Sequence, residues 1–123
     1  MKTVVLSGSM KFIQDIQNTL HSLQELGAQA QFPNGDNIVS GEDLSMEQSK
    51  QLALEHYEAI KQSDIVYFLT PNGYMGTSCK VELGYAIALN KTIIFSELTH
   101  DIALDCYAQQ IIPLDNLLLF QSL

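Results

Sequence analysis

The chain has 123 residues, enough to bury its own core without disulfides or a structural metal, and it is read as one domain over residues 1–123. Six lysines and no arginine stand against fourteen acids, a net charge of −8 that repels nucleic-acid backbones and anionic membranes and argues against a tightly held polyphosphate. No apolar run approaches the ~20 residues of a membrane span, so neither nucleic acid nor membrane is expected as a partner.

Thr3–Ser7 (TVVLS) is a short apolar strand, and nothing before it has the shape of a signal peptide. Gly8 breaks it, and Ser9 is placed to cap a helix over Met10–Leu26. Phe12, Ile13, Ile16, Leu20, Leu23 and Leu26 recur there at three and four, and Gly27 stops the helix. Ala28–Phe32 is a second, less apolar strand. Pro33–Asp43 is polar, carries two glycines and is long for a compact domain, so it reads as a functional flap or mobile segment. Ser45 with Gln48 fits a capping box opening a helix over Met46–Gln62, with Leu52, Ala53, His56, Tyr57 and Ile60 along one side.

Asp64–Thr70 is a β-branched and aromatic run suited to a central parallel strand, stopped by Pro71, Asn72 and Gly73. Thr77 or Ser78 is placed to cap the next helix, whose body is Lys80–Leu89 and whose end is Asn90. Gly84 in mid-helix costs roughly 1 kcal/mol against alanine, which implies close backbone packing against the sheet. Thr92–Phe95 is an apolar strand. A helix over His100–Ile112, stopped by Pro113, and a last strand over Asn116–Phe120 (NLLLF) complete the chain. Cys79 and Cys106 form no CxxC and read as reduced thiols of an intracellular, cytoplasmic protein, with no metal site.

This alternation predicts an α/β domain: a doubly wound parallel sheet of five strands with helices on both faces. Right-handed crossovers favour the order 2-1-3-4-5. Strands one and three are then neighbours and the winding reverses between them. The crevice at that switch point is lined by Ser7, Gly8, Ser9 and Met10 on one side. On the other are Pro71, Asn72, Gly73, Tyr74, Gly76, Thr77 and Ser78. A dinucleotide loop (GxGxxG) and a P-loop (GxxxxGK[ST]) are both absent, and Leu69 and Thr70 stand where a phosphoacceptor aspartate would.

Glu82 lies about a turn and a half into the helix leaving this crevice. Free N–H groups and the helix dipole favour an ionised carboxylate there, which a nucleophile at a glycosidic carbon needs. A plain dipole partner is the alternative role. His56 is either a core-margin histidine or a proton donor to a leaving base. Asp36, Glu42 or Asp43 of the long loop is the other source of an acid. Tyr74 and Met75 are placed either to stack on a base or to pack the turn, and Lys11 is either solvated or meets a 5′-phosphate.

The string G-x-x-G-T-x4-E-L-G-Y-A-x-A-L-x-K-x-I-I, from Gly73 to Ile94, resembles the signature of the nucleoside 2-deoxyribosyltransferase family, which includes 2′-deoxynucleoside 5′-phosphate N-hydrolases. Asp64 and the S-G-S-M of Ser7–Met10 extend the resemblance over most of the chain. It implies a flavodoxin-like sheet and a small-molecule nucleoside or nucleotide as partner. It also implies no cofactor and assembly to a homodimer or larger homo-oligomer. The family's glutamate attacks C1′ of the 2-deoxyribose, and Glu82 falls on it. Ser7, Gly8, Ser9 and the Gly73–Thr77 loop would hold sugar or phosphate. The first-loop tyrosine of many members is replaced by Ser7 and Ser9, and His56 falls where the hydrolases carry an acid. Those departures support a rival reading, a non-catalytic nucleotide-binding or sensing module on the same scaffold.

Overall fold

A computed structural model of the chain describes residues 2–33 and 44–123. Strands β1 (Thr3–Ser7), β2 (Gln29–Gln31), β3 (Ile65–Phe68), β4 (Thr92–Phe95) and β5 (Gln110–Ile111) form one sheet in the order β2-β1-β3-β4-β5. Every pairing is parallel, with Val5 opposite Val66 and Val66 opposite Ile93 at the centre. The helices are α1 (Ile13–Glu25), α2 (Met46–Gln62), α3 (Thr77–Ala88) and the single turn α4 (Ile102–Asp105). The doubly wound architecture and its strand order are those the alternation predicts.

The period of two along each strand divides the core between the faces. Val4, Leu6, Ile65, Tyr67 and Ile94 point to the α1 side, where Ile16 and Leu23 cover them. Val5, Val66, Phe68, Ile93 and Phe95 point to the other side, against Ile60 of α2 and Cys79, Leu83 and Ala86 of α3. Ser45 caps α2 with the reciprocal Gln48 bond of a capping box.

Local expectations are corrected at five places. Met10–Phe12 is a 3-10 turn and α1 starts only at Ile13, with no side-chain cap from Ser9. Neither Thr77 nor Ser78 caps α3: the cap is Gly76, and the helix begins at Thr77. Gly84 is exposed, and a Cβ there would meet nothing within 4 Å. Its face of α3 is turned from the sheet while Cys79, Leu83 and Ala86 take the inner face, so close packing is not why glycine stands there. The helix over His100–Ile112 shrinks to the one turn of α4, because Gln109–Ile112 is drawn into pairing with β4. There Gln109 N–H donates to Ile93 O at 2.9 Å and Ile112 N–H to Phe95 O at 2.9 Å. The fifth strand is therefore Gln110–Ile111, and Leu117–Ser122 is a 3-10 helix. A short apolar run cannot by itself distinguish strand from buried turn; here Leu118 faces solvent while Phe120 sets its edge on Tyr67 at 4.8 Å. The flap expected over Pro33–Asp43, with Asp36, Glu42 and Asp43, lies outside the described residues from position 34 on.

At the amino edge of the sheet Asp64 ties β3 to β1. Its Oδ2 accepts from Thr3 N–H at 2.9 Å and from the Thr3 hydroxyl at 3.2 Å. The Thr3 backbone bond, then its hydroxyl, hold the carboxyl below its ordinary range against a smaller desolvation. A depressed carboxylate contributes stability that is present above its unfolded value and is lost as pH falls through the folded one. Asp64→Asn is expected to lower Tm at pH 7, with the gap to wild type closing as the pH is taken below the depressed value. Melting curves from pH 7 to 2 check this; a gap constant with pH contradicts it.

Candidate active site

The switch point lies between β1 and β3, whose carboxyl ends open on the same crevice. β1 ends at Ser7, which is buried, and the chain turns at Gly8. A Cβ on Gly8 would lie 3.0 Å from Ile16 Cδ1, a tight approach to α1 that would oblige the Ile16 side chain to give way.

Beyond β3 the chain is drawn first toward β4. The Thr70 hydroxyl donates to Glu97 O at 2.7 Å, and Asn72 N–H donates to Glu97 Oε2 at 3.0 Å. Asn72 (φ 56°) and Gly73 (φ 78°) are successively left-handed, and a Cβ on Gly73 would lie 3.1 Å from Leu98 O. Tyr74 then swings back toward β1. Its ring lies 3.4 Å beneath the Lys11 ammonium and edge-on to Phe12 at 5.8 Å. Gly76 caps α3, and the apolar spacing of that helix sends Cys79, Glu82, Leu83 and Ala86 inward together.

Glu82 is thus a buried acid, 7 % exposed, on a helix face otherwise made of core residues. The Ser7 hydroxyl donates to its Oε1 at 3.3 Å. His56, carried in from α2, places Nδ1 3.1 Å from the same oxygen. That contact is close but out of line for a hydrogen bond, so Nδ1 is a buried polar atom without a hydrogen-bond partner. Phe32, just past β2, holds the imidazole edge-on at 5.2 Å. The Cys79 thiol completes the floor: burial pushes it up to about 11, the contact with Ser7 opposes this, the Glu82 charge adds a smaller rise and the Gly76 contact opposes it least. It is therefore a neutral thiol near pH 7 and no nucleophile.

Above this floor is a cleft of about 380 Å³ lined by Gly8, Met10, Phe32, Leu52, Ala53, His56, Tyr57, Thr77, Ser78, Val81 and Glu82, with Leu44 and Ser49 at its side. Larger hollows of about 480 and 600 Å³ lie at the amino edge of the sheet and beside the ends of β4 and β5. The first is chiefly apolar and its one acid, Asp64, is already bonded to Thr3. The second carries Glu97, His100 and Asp115 but lies beside β4 and β5, away from the switch point, where the smaller cleft holds Glu82 and His56. Among the described residues no group of three or more His, Cys, Asp and Glu could hold a metal, and no helix is long and apolar enough to cross a membrane.

The fold therefore brings Ser7, Gly8, Met10, His56, Thr77, Ser78 and Glu82 together. Ser9 and Gly76 meet across the rim, Ser9 Cβ lying 3.9 Å from where a Cβ on Gly76 would be. Asn72 and Gly73 face the loop after β4, Tyr74 is spent on Lys11 and Phe12, and Met75 is core. The Nδ1 of His56 faces the Glu82 carboxylate rather than open cleft. Phe32, Cys79 and Val81 also shape the site without having been singled out. Cys79 was legible as the residue three before Glu82 on the same helix face; Phe32 and Val81 carry no signal of their own.

A model of the family described as nucleoside 2-deoxyribosyltransferase matches residues 4–115. Among solved structures, the 2-deoxyribosyltransferase of the psychrotolerant bacterium Bacillus psychrosaccharolyticus is similar at 17% identity and a TM-score of 0.70, over 92% of this chain and 88% of that one. The Clostridium botulinum CMP N-glycosidase BcmB is similar at 21% identity and a TM-score of 0.57, over 89% of this chain and 85% of that one. At these identities the likeness is one of fold. No curated protein matches the chain.

Proposed function

The chain belongs to the nucleoside 2-deoxyribosyltransferase family, and from that premise we propose that it cleaves, or transfers across, the N-glycosidic bond of a 2′-deoxynucleoside or its 5′-monophosphate, with Glu82 as nucleophile. The observation that carries this reading is a buried carboxylate at the floor of a cleft at the sheet's switch point, with one oxygen already engaged by Ser7. A buried acid without a lysine or arginine beside it is poor structural material, and it is retained where chemistry needs it.

In this reading a Glu82 oxygen bonds to C1′ as the C1′–N bond breaks, and that bond's electron pair leaves with the base, which takes up a proton. Water, or the nitrogen of a second base, then attacks C1′ and frees the carboxylate. Thr77 and Ser78, in the first turn of α3, present hydroxyls and N–H groups that have no partner within the helix to the sugar or its 5′ substituent. Phe32, Leu52, Tyr57 and Val81 supply the apolar walls for the base.

Incubation with the common 2′-deoxynucleosides and their 5′-monophosphates, followed by chromatography for free base, tests the proposal. Base release from at least one substrate is expected. Ligand-dependent rise in Tm with every substrate left intact would instead mark a non-catalytic binding module.

A further inference from the structure

Ser7 and His56 converge on a single oxygen of Glu82. Ser7 Oγ is 3.3 Å and His56 Nδ1 3.1 Å from Oε1. Among the described residues no hydrogen bond reaches Oε2, and Oε2 is not one of their buried unpaired atoms. The two oxygens are therefore unequal before any substrate arrives. We infer, on the reading of Glu82 as nucleophile, that Ser7 and His56 form a clamp on Oε1 that fixes the carboxylate plane and presents Oε2 to C1′, so that His56 is a positioning residue and not the acid for the leaving base.

The orphaned Nδ1 supports this directly. A buried polar atom with no hydrogen bond needs an explanation. This one is already at bonding distance from Oε1 and lacks only alignment. The imidazole itself is held, 12 % exposed, against Phe32 on a helix whose start is fixed by the Ser45 capping box. Burial of Nδ1 also keeps it from a base lying in the cleft. Only Nε2 is left for such a base, and that separates the two roles by nitrogen.

The test uses that separation. An asparagine amide takes roughly the place of Nδ1, and a glutamine amide that of Nε2. Rates of Ser7→Ala, His56→Asn, His56→Gln and Glu82→Ala are compared on the best substrate of the nucleoside panel and on 7-methyl-2′-deoxyguanosine, whose base leaves without taking up a proton. The clamp predicts that S7A and H56Q lose about 10- to 100-fold in kcat on both substrates with little change in KM, the scale of one lost hydrogen bond to a charged group, while H56N stays near wild type. The reverse order, with H56N impaired, H56Q active and the defect erased on the 7-methyl substrate, makes His56 the acid and overturns the clamp. Wild-type rates in both S7A and H56Q also overturn it. If the wild type releases no base, or E82A is as active as wild type, the proposed function fails instead. An inactive E82A beside fully active S7A and H56Q removes the clamp alone.

Discussion

Glu82→Ala is expected to abolish base release, by about 10⁴-fold or more, while the protein melts within a few degrees of wild type. The covalent route has no substitute for the carboxylate. The cleft offers no second acid among the described residues, and the nearby Cys79 thiol, raised to about 11, is protonated near neutral pH. Stability depends on Glu82 much less. Among the described residues its polar partners are one long bond from Ser7 and an unaligned approach from His56, so truncation forfeits little net interaction and leaves a space open to the cleft. Removing a buried functional carboxylate often costs nothing in stability or even raises it. Glu82→Gln should be equally inactive, because an amide of the same shape cannot attack C1′. If Glu82 served only as a partner for the α3 dipole, Ala and Gln would each lower Tm slightly, on the scale of ~0.3–1 kcal/mol, and leave turnover unchanged. Parallel melting and turnover measurements on the two variants separate these outcomes.

Phe68→Ala carries the largest expected effect on the fold. Phe68 is fully buried at the end of β3, edge-on to Phe95 at 5.7 Å, among the side chains that join the sheet to α2 and α3. Truncation of such a ring costs about 3–5 kcal/mol, through lost transfer energy and the cavity left behind. For a domain of this size that is a large part of total stability. The consequence for the site is specific. Phe68 pairs with Ser7 across β1 and β3, and α3 rests on the same layer, so loss of the ring loosens both supports of Glu82. A urea midpoint well below wild type is expected, together with reduced base release at temperatures where the variant is still folded. A midpoint within 1 kcal/mol of wild type by the ~1–3 kcal/mol/M slopes usual for small proteins would contradict this account of the core.

The sheet was legible because its strands have two distinct buried faces. Val4, Val5 and Leu6, Val66 to Phe68, and Ile93 to Phe95 are apolar at every position, as a strand covered on both sides must be. Helix α2 was legible to the residue because Ser45 and Gln48 spell its start, and Gln62 is followed at once by the β3 run. The end of the chain was misread for a physical reason. NLLLF is strand-like in composition, but the open edge of β4 is reached first by Gln110–Ile111, which leaves Leu117–Phe120 to fold over the α1-side core. Of the site, the Glu82 neighbourhood followed from a carboxylate on an otherwise inward-facing stretch of helix after a glycine loop. The approach of His56 stood as only one of two readings. Its position on α2 shows only that it shares a face with Leu52 and Ile60; that this face ends against Glu82 depends on how α2 packs across α3. The preference of Ser7 and His56 for one carboxylate oxygen belongs to side-chain geometry that no spacing encodes.

The account rests on Glu82 becoming covalently attached to the sugar, and trapping tests that most directly. A 2′-fluoro-substituted 2′-deoxynucleoside with a good leaving base slows both formation and breakdown of an oxocarbenium-like transition state, while the leaving base keeps the first step the faster. Intact mass and peptide mapping after incubation are expected to show one fluorodeoxyribosyl group per chain, on the peptide containing Glu82, and none in Glu82→Gln. Base release from this substrate with no adduct on Glu82, or with the adduct on another residue, would contradict the central claim.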